Sequence, residues 1–178
     1  MRSAALLTKA LAERDPAEAG HAKRVTELAL RIAEAVGAGP RRVAAIEQGG
    51  PLHDIGKLSV AIEILHKPSA LDEEELAQIR QHPEEGKRML DGIRSMRTAI
   101  ECVLHHHERW DGAGYPHGLR GEEIPMEARI LAVADAYDAM TSDRPYRPAL
   151  SHEDAMNEVR RCSGTQFDPE VADAFLSL

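Results

Sequence analysis

Cysteine is scarce: Cys102 and Cys162 are the two in 178 residues. They are too few and too far apart for a disulfide framework or a thiolate zinc site, so reduced thiols are expected. No apolar run reaches the roughly 18 residues that a membrane span needs. Residues 1–15, with Arg2 and Lys9 among interspersed polar positions, lack a signal-peptide core. No membrane association is therefore expected, and a cytoplasmic location is. Basic residues are outnumbered, 22 Lys plus Arg against 30 Asp plus Glu, for a net charge of −8. That balance argues against bulk nucleic-acid binding, which leans on long-range attraction to phosphates. Any anionic ligand must be held by local charge, which a metal could supply. Strand signals are missing as well, with no convincing period-2 run, no Asn-Gly hairpin and no repeat.

Helical signals fill the chain. After a lead-in helix near Ser3 to Arg14, His21, Val25, Leu28, Ala29 and Ile32 fall on one face of a long helix that Gly37 can end. Pro40 suits the first turn of a next helix to Gln48. Gly49-Gly50-Pro51 then interrupts the pattern before His53-Asp54. A proline inside an α-helix removes a hydrogen bond and clashes one turn back, so a bend that could shift Asp54 is expected. Asp72 with Glu75 is an N-cap pair for a helix over 73–81, and Pro83 starts another through Leu90. Further helices are expected over 95–107, 126–141, from Ser151 to about Cys162, and from Asp168-Pro169 onward. Arg109 to Pro125, rich in Gly and Pro, reads as a loop long enough to carry function. The fold class is all-α, a helical bundle with a metal site between helices. Residues 1–14 form the lead-in and 15–178 one domain, a length that closes a core without staples.

What is abundant is histidine, nine in all, against two Phe, three Tyr and one Trp. His53-Asp54 sets an imidazole beside a carboxylate, and adjacent helical side chains diverge by about 100°. The pair can thus reach two neighbouring metal positions, with Asp54 between them. His106 and His107 have the same adjacency near a helix end. His21, His82 and Asp135 lie on or beside apolar faces, where an unpaired polar group is costly and ligation would remove the cost. Five imidazoles and two carboxylates exceed what one four-coordinate zinc takes, and suffice for two ions with water or hydroxide between them. With no thiolate, the set suits Fe, Mn or another borderline divalent metal, Zn included. Lys57 comes one turn after His53. Arg144 and Arg147 sit three apart on a proline-stiffened segment and could grip phosphates. Asp138, one turn after Asp135, can orient a ligand or accept a donor from substrate. His66, His105, His117 and His152 are expected in solvent, loop or cap positions.

These blocks resemble the HD-GYP domain family, bacterial phosphodiesterases of the HD superfamily that act on cyclic di-GMP. The likeness spans Asp15 to Phe175. Its pieces are His21-Ala22-Lys23-Arg24-Val25, Leu52-His53-Asp54-Ile55-Gly56-Lys57, His82-Pro83, His106 to Pro116, Ala134 to Asp138, Ser142 to Arg147 and Gly164 to Pro169. The resemblance implies that His21, His53, Asp54 and Asp135 hold one metal, most readily iron. It implies that Asp54, His82, His106 and His107 hold a second, with Asp54 as the bridge. It further implies that Lys57, Arg144 and Arg147 contact substrate phosphate, and that Gly114, Tyr115 and Pro116 shape the pocket near the guanine bases, with Asp138 a further substrate contact. A metal-bridging hydroxide would attack phosphorus, Asp54 and Lys57 being the catalytic pair, to give linear pGpG and, on a second cut, GMP.

The chain departs from the family pattern in places. Some members carry a Glu ligand for a third metal four residues before the first His, and Ala17 stands there. Glu18, one position on, is expected to face another direction, so two metals are expected. Ala61-Ile62 replaces a common Pro-Asp pair at the pocket edge. A catalytically weak cyclic di-GMP receptor and an HD-type hydrolase of another nucleotide are the competing functions. Regulation is expected from a separate sensor protein, and a homodimer through an apolar helix face is compatible with the pattern.

Overall fold

The hydrophobic periodicity becomes two layers of helices around a polar centre in the computed structural model, which describes residues 2–143 and 148–178. In chain order these are α1 (Arg2–Arg14), α2 (Pro16–Ala35), α3 (Pro40–Gly49), α4 (Ile62–Leu65), α5 (Glu73–Ile79), α6 (His82–Leu90), α7 (Ala99–His105), α8 (Met126–Thr141), α9 (His152–Cys162) and α10 (Pro169–Leu176). Short 3₁₀ turns occupy Gly50–Leu52, Ile55–Ser59, Arg94–Met96 and Gly121–Glu123. Among the described residues there is no strand, only an isolated bridge between Ser163 and Phe167. No helix among them is long and apolar enough to cross a membrane.

The stripe on α2 is the apolar seam expected from its spacing. Val25, Ala29 and Ile32 are fully buried against Ile130, Val133 and Ala134 of α8, and Val171 and Phe175 of α10 close the same cluster. A second cluster gathers Leu11, Leu52, Ile55, Leu90, Met96 and Val103 from α1, three of the 3₁₀ turns, α6 and α7. The polar centre is threaded between them. His53 and Asp54 lie between Leu52 and Ile55 of the second cluster, and Asp135 follows Ala134 of the first.

Helix ends follow local chemistry. Asp72 and Glu75 form a complete capping box, and the side chains of Ser151 and Asp168 cap α9 and α10. The expected helix over 95–107 is instead the Arg94–Met96 turn followed by α7, which stops at His105.

The bend expected at Pro51 takes a different form. α3 ends at Gly49, and Pro51 enters the first turn of a 3₁₀ segment, where its missing N–H and fixed φ cost little. The two glycines before it are explained by crowding. A Cβ on Gly49 would lie 2.6 Å from Cys102 Cβ, and one on Gly50 would lie 2.5 Å from Thr26 Oγ1. The chain can therefore turn tightly between α2 and α7 and deliver Asp54 to the centre.

Gly56 is the tightest point of all: a Cβ there would lie 1.8 Å from the His82 carbonyl oxygen and 2.6 Å from the Gly86 nitrogen. Backbone meets backbone here, so no rotamer can relieve the clash. Gly56→Ala is expected to destabilise the fold by about 3 kcal/mol or more. Gly39→Ala, which meets nothing within 4 Å, is expected to cost about 1 kcal/mol or less, as a cap change only. Urea unfolding followed by circular dichroism checks the contrast, and equal midpoints for the two variants would refute it.

Candidate metal centre

Asp54 sits at the middle of the cluster with its two oxygens facing different partners. Oδ1 lies 3.1 Å from His82 Nε2 and 3.8 Å from His106 Nε2. Oδ2 lies 3.2 Å from His53 Nε2 and 3.8 Å from His21 Nε2. Asp135 joins the second side, its Oδ1 3.1 Å from His21 Nε2 and 4.0 Å from His53 Nε2. His107 stands on the first side, with its ring 5.0 Å from that of His82 and 4.0 Å from that of His106. Potential ligand atoms of Asp54, His82, His106 and His107 all fall within 4.8 Å of one another, and so do those of His21, His53 and Asp54. All seven residues singled out as ligands in the sequence thus meet in one place.

The rings are held with their Nε2 atoms inward. The Nδ1–H of His53 donates to the Gly50 carbonyl at 2.8 Å, that of His82 to Ile79 at 2.7 Å and that of His106 to Val103 at 2.9 Å. His21 is anchored by a carboxylate instead, its Nδ1–H donating to Asp138 Oδ2 at 2.7 Å. Asp138 is itself gripped by Arg24, with Nε to Oδ1 at 2.6 Å and Nη2 to Oδ2 at 2.8 Å. Fixing one ring nitrogen as donor turns the other into a lone pair aimed at the centre.

That arrangement is unsatisfied by protein alone. His82 Nε2 and His106 Nε2 face each other at 3.2 Å, two lone pairs with no proton of their own between them. His53 Nε2 and Asp54 Oδ1 are buried with no hydrogen-bond partner. Buried polar atoms are rarely left this way, and a cation bound among them removes the deficit. The residues present therefore fit divalent metal.

Protonation states agree with ligation at Asp54, Asp135, His106 and His107, whereas His21 and His53, beside carboxylates, are raised and would release a proton as a metal binds. Burial opposes an ionised Asp54, but the charges of Lys57 and His53 overcome it and hold the carboxyl well below its usual range. Asp135 is likewise held low against burial, chiefly by the hydrogen bond from His21. Burial pushes His106 down to about 4, with His53 and His82 adding to it and Asp54 opposing, and burial with His106 holds His107 well below its normal value. His21 moves the other way: burial disfavours its cation, yet the hydrogen bonds to Asp135 and Asp138 prevail and raise it to about 10. Ionised acids and neutral imidazoles are the ligand forms metals bind.

An open cleft of about 550 Å³ leads to these atoms. Lys57 lines it, its Nζ 2.7 Å from both Asp54 Oδ2 and Glu18 Oε1. Tyr115 forms part of the wall, stacked on His107 at 4.8 Å with an interplanar angle of 26°, and the Arg80 guanidinium lies over its ring at 5.6 Å. Gly114 lets the loop close here, because a Cβ would lie 2.4 Å from the Arg109 nitrogen. The Tyr115–Pro116 peptide is cis. Ser142 and Asp143 also line the cleft, whereas Arg144 and Arg147 lie outside the described residues.

Two residues correct the sequence reading. Glu18, expected to face elsewhere, reaches the cleft, because it precedes His21 by three residues and i,i+3 positions share a helix face. His105, expected in a solvent or cap setting, is buried. Asp138, read as an orienting acid or a substrate contact, holds the His21 ring and is itself held by Arg24. Arg24, Arg80 and Glu108 were not singled out; the partners of Arg24 and Arg80 lie far away in sequence, whereas the N–H groups that donate to Glu108 lie within eleven residues, on the loop that follows it.

The HD domain family model matches residues 5–171. The chain belongs to the HD domain family. Its relatives place it in the HD-GYP branch. The cyclic di-GMP phosphodiesterase of Thermotoga maritima is 45% identical over 160 residues, covering 89% of this chain and 44% of that protein. The cyclic di-GMP phosphodiesterase response regulator RpfG of Xanthomonas campestris pv. campestris is 40% identical over 172 residues, covering 96% of this chain and 46% of that one. This HD domain spans about half the length of either relative. Among solved structures, Bd1817, a HDG"Y"P protein from Bdellovibrio bacteriovorus, superposes with a TM-score of 0.73 at 20% identity, over 90% of this chain and 51% of that chain. That likeness supports the all-α HD fold.

Because Asp54 is shared by both sides of this HD centre, its loss should disturb both. Asp54→Ala is expected to lower tight binding of Mn²⁺ or Fe²⁺ by at least one equivalent per chain while helicity is kept. Equilibrium dialysis with elemental analysis, paired with far-UV circular dichroism, is the check; full metal content in the variant would remove Asp54 from the centre.

Proposed function

We propose that the chain is a metal-dependent phosphodiesterase that opens cyclic di-GMP to linear pGpG. The observation that carries this reading is the two-sided Asp54 carboxylate, which divides six other donor residues into two groups around one cleft. His21, His53, Asp54 and Asp135 would hold one divalent ion, and Asp54, His82, His106 and His107 a second, iron being the first expectation and manganese the next. Bound there, the metals would supply Lewis acidity at the phosphoryl group and activate water near neutral pH.

The chain's own residues account for the rest. Lys57, kept cationic because the charges of Asp54 and Glu18 outweigh its burial, places a positive charge at the cleft edge for a non-bridging phosphate oxygen. Asp138 keeps the His21 ring in one orientation, and Arg24 keeps Asp138 in place. The Tyr115 ring, held against His107 and approached by Arg80, offers an aromatic edge near the centre beside which a guanine base can lie. Arg144 and Arg147, which lie outside the described residues, would grip phosphate. Such an enzyme would work in the cytoplasm.

Metal content and cyclic di-GMP turnover, measured on one anaerobically purified sample, test the proposal. Near two metals per chain and pGpG on chromatography are expected. Two metals with binding but no turnover would make the chain a receptor instead. The double variant Arg144→Ala with Arg147→Ala should raise KM by about tenfold or more with metal content unchanged. Unaltered kinetics in that variant would return both arginines to the surface.

A further inference from the structure

We propose that His105, Glu108 and His117 form a separate binding site for one divalent transition-metal ion, tying the end of α7 to the loop over 109–125. Ligand atoms of the three residues lie within 4.8 Å of one another. His105 Nδ1 is buried without a hydrogen-bond partner, on a side chain only 9% exposed, and it faces Glu108 Oε1 at 3.8 Å. That gap is too long for a hydrogen bond. It suits two ligands of a common ion, each about 2.0–2.2 Å from it.

Glu108 sharpens the case. Its side chain is fully buried, and its carboxylate accepts the backbone N–H of His117 at Oε1, 2.8 Å, and that of Leu119 at Oε2, 3.1 Å. Among the described residues no Lys or Arg is paired with it; His105 is the group of ion-pair type beside it. A buried carboxylate served by two neutral donors is expensive, and a cation on the remaining lone pair of Oε1 offsets the cost. The ring of His117 lies 5.4 Å from that of His105 and is 45% exposed, so it can turn the last step onto an ion. Two imidazoles and one carboxylate suit Zn²⁺ and its borderline neighbours, with coordination completed by water or by the nearby exposed carboxylate of Glu84, 3.7 Å from His117 Nε2.

The site is distinct from the Asp54 centre. Residues His105, His106 and His107 follow one another where α7 ends, and side chains in consecutive helical positions point about 100° apart. An ion here would brace the loop two residues beyond Tyr115, so its role is structural support of the cleft wall.

The test uses the full chain stripped with a chelator, reloaded with Zn²⁺, desalted, and analysed for metal per chain. His117→Ala is expected to hold about one Zn²⁺ fewer than the unmodified chain with helicity unchanged. His105→Gln should show the same deficit, and His117→Ala decides alone should that buried variant fail to fold. The same pair of measurements in an Asp54→Ala background separates the two sites: a deficit that persists there supports the proposal. Equal zinc content with and without His117→Ala would overturn it. So would a deficit seen only when Asp54 is intact, because the loop would then be acting through the main centre. Loss of metal from the Asp54 centre itself leaves both arms readable.

Discussion

Burying a carboxylate among imidazoles is a demanding arrangement, and the Asp54 side chain is 5% exposed with four ring nitrogens within 4 Å of its oxygens. An ion pair of ordinary quality barely recovers the desolvation cost of such a group. Lys57 compensates Oδ2 directly, but Oδ1 meets only the inward lone pairs of His82 and His106. The local fold is organised to keep Asp54 there regardless. The 3₁₀ turns on either side bring it into the centre, Gly56 allows the turn to touch the backbone of α6, and the Arg14 guanidinium of α1 donates to the carbonyls of Leu58 and Val60 behind it. Such rigidity is what a metal centre requires, since ligands that are held apart in advance lose little freedom on binding.

Interrupted helices supply the ligand orientations. An α-helix leaves its last carbonyls without intrahelical partners, and those groups need donors. The Ile79 carbonyl at the end of α5 finds the Nδ1–H of His82, and the Val103 carbonyl near the end of α7 finds that of His106. Gly50, opening the 3₁₀ turn after α3, does the same for His53. A single constraint therefore satisfies a helix terminus and aims a ring. His21 lies within α2, where the carbonyls three and four residues back are already used, and it takes its orientation from Asp138 on α8 instead. The Asp138–Arg24 pair is the counterpart, in side chains, of what the helix ends provide elsewhere.

This division explains which parts of the molecule could be read in advance. Local signals were legible: the apolar stripe on α2, the Asp72–Glu75 box, Ser151 and Asp168 as caps, and the boundaries of α8 all follow from residues a few positions apart. The seven clustered donors were legible through their adjacency and through their resemblance to a family pattern. Pro51 misled because the sequence does not announce the change from α to 3₁₀ geometry that accommodates it; that change depends on the contacts of Gly49 and Gly50 with α7 and α2. Glu18 was misjudged by counting from a family position, although its three-residue spacing to His21 already placed both on one face. Arg24 and Arg80 act on partners that only the tertiary fold brings near.

Charge gives the cleft its selectivity. Glu18, Asp54, Asp135 and Asp138 gather at one end of a chain that is acidic overall, where among the described residues Lys57, Arg24 and His21 are paired with them. An anionic ligand approaching this end would meet net repulsion from the protein alone. On the proposed function, bound cations would turn an acidic cleft into one able to accept phosphate, and the acidic surplus that disfavours nucleic acid across the whole chain would be, locally, the means of holding them. Affinity for an anion and affinity for metal are then linked, each raising the other by the same factor. Lys57, tied to both Asp54 and Glu18, stands where that balance changes, because a metal drawing on the Asp54 carboxylate weakens its claim on the ammonium and leaves the lysine more available to phosphate.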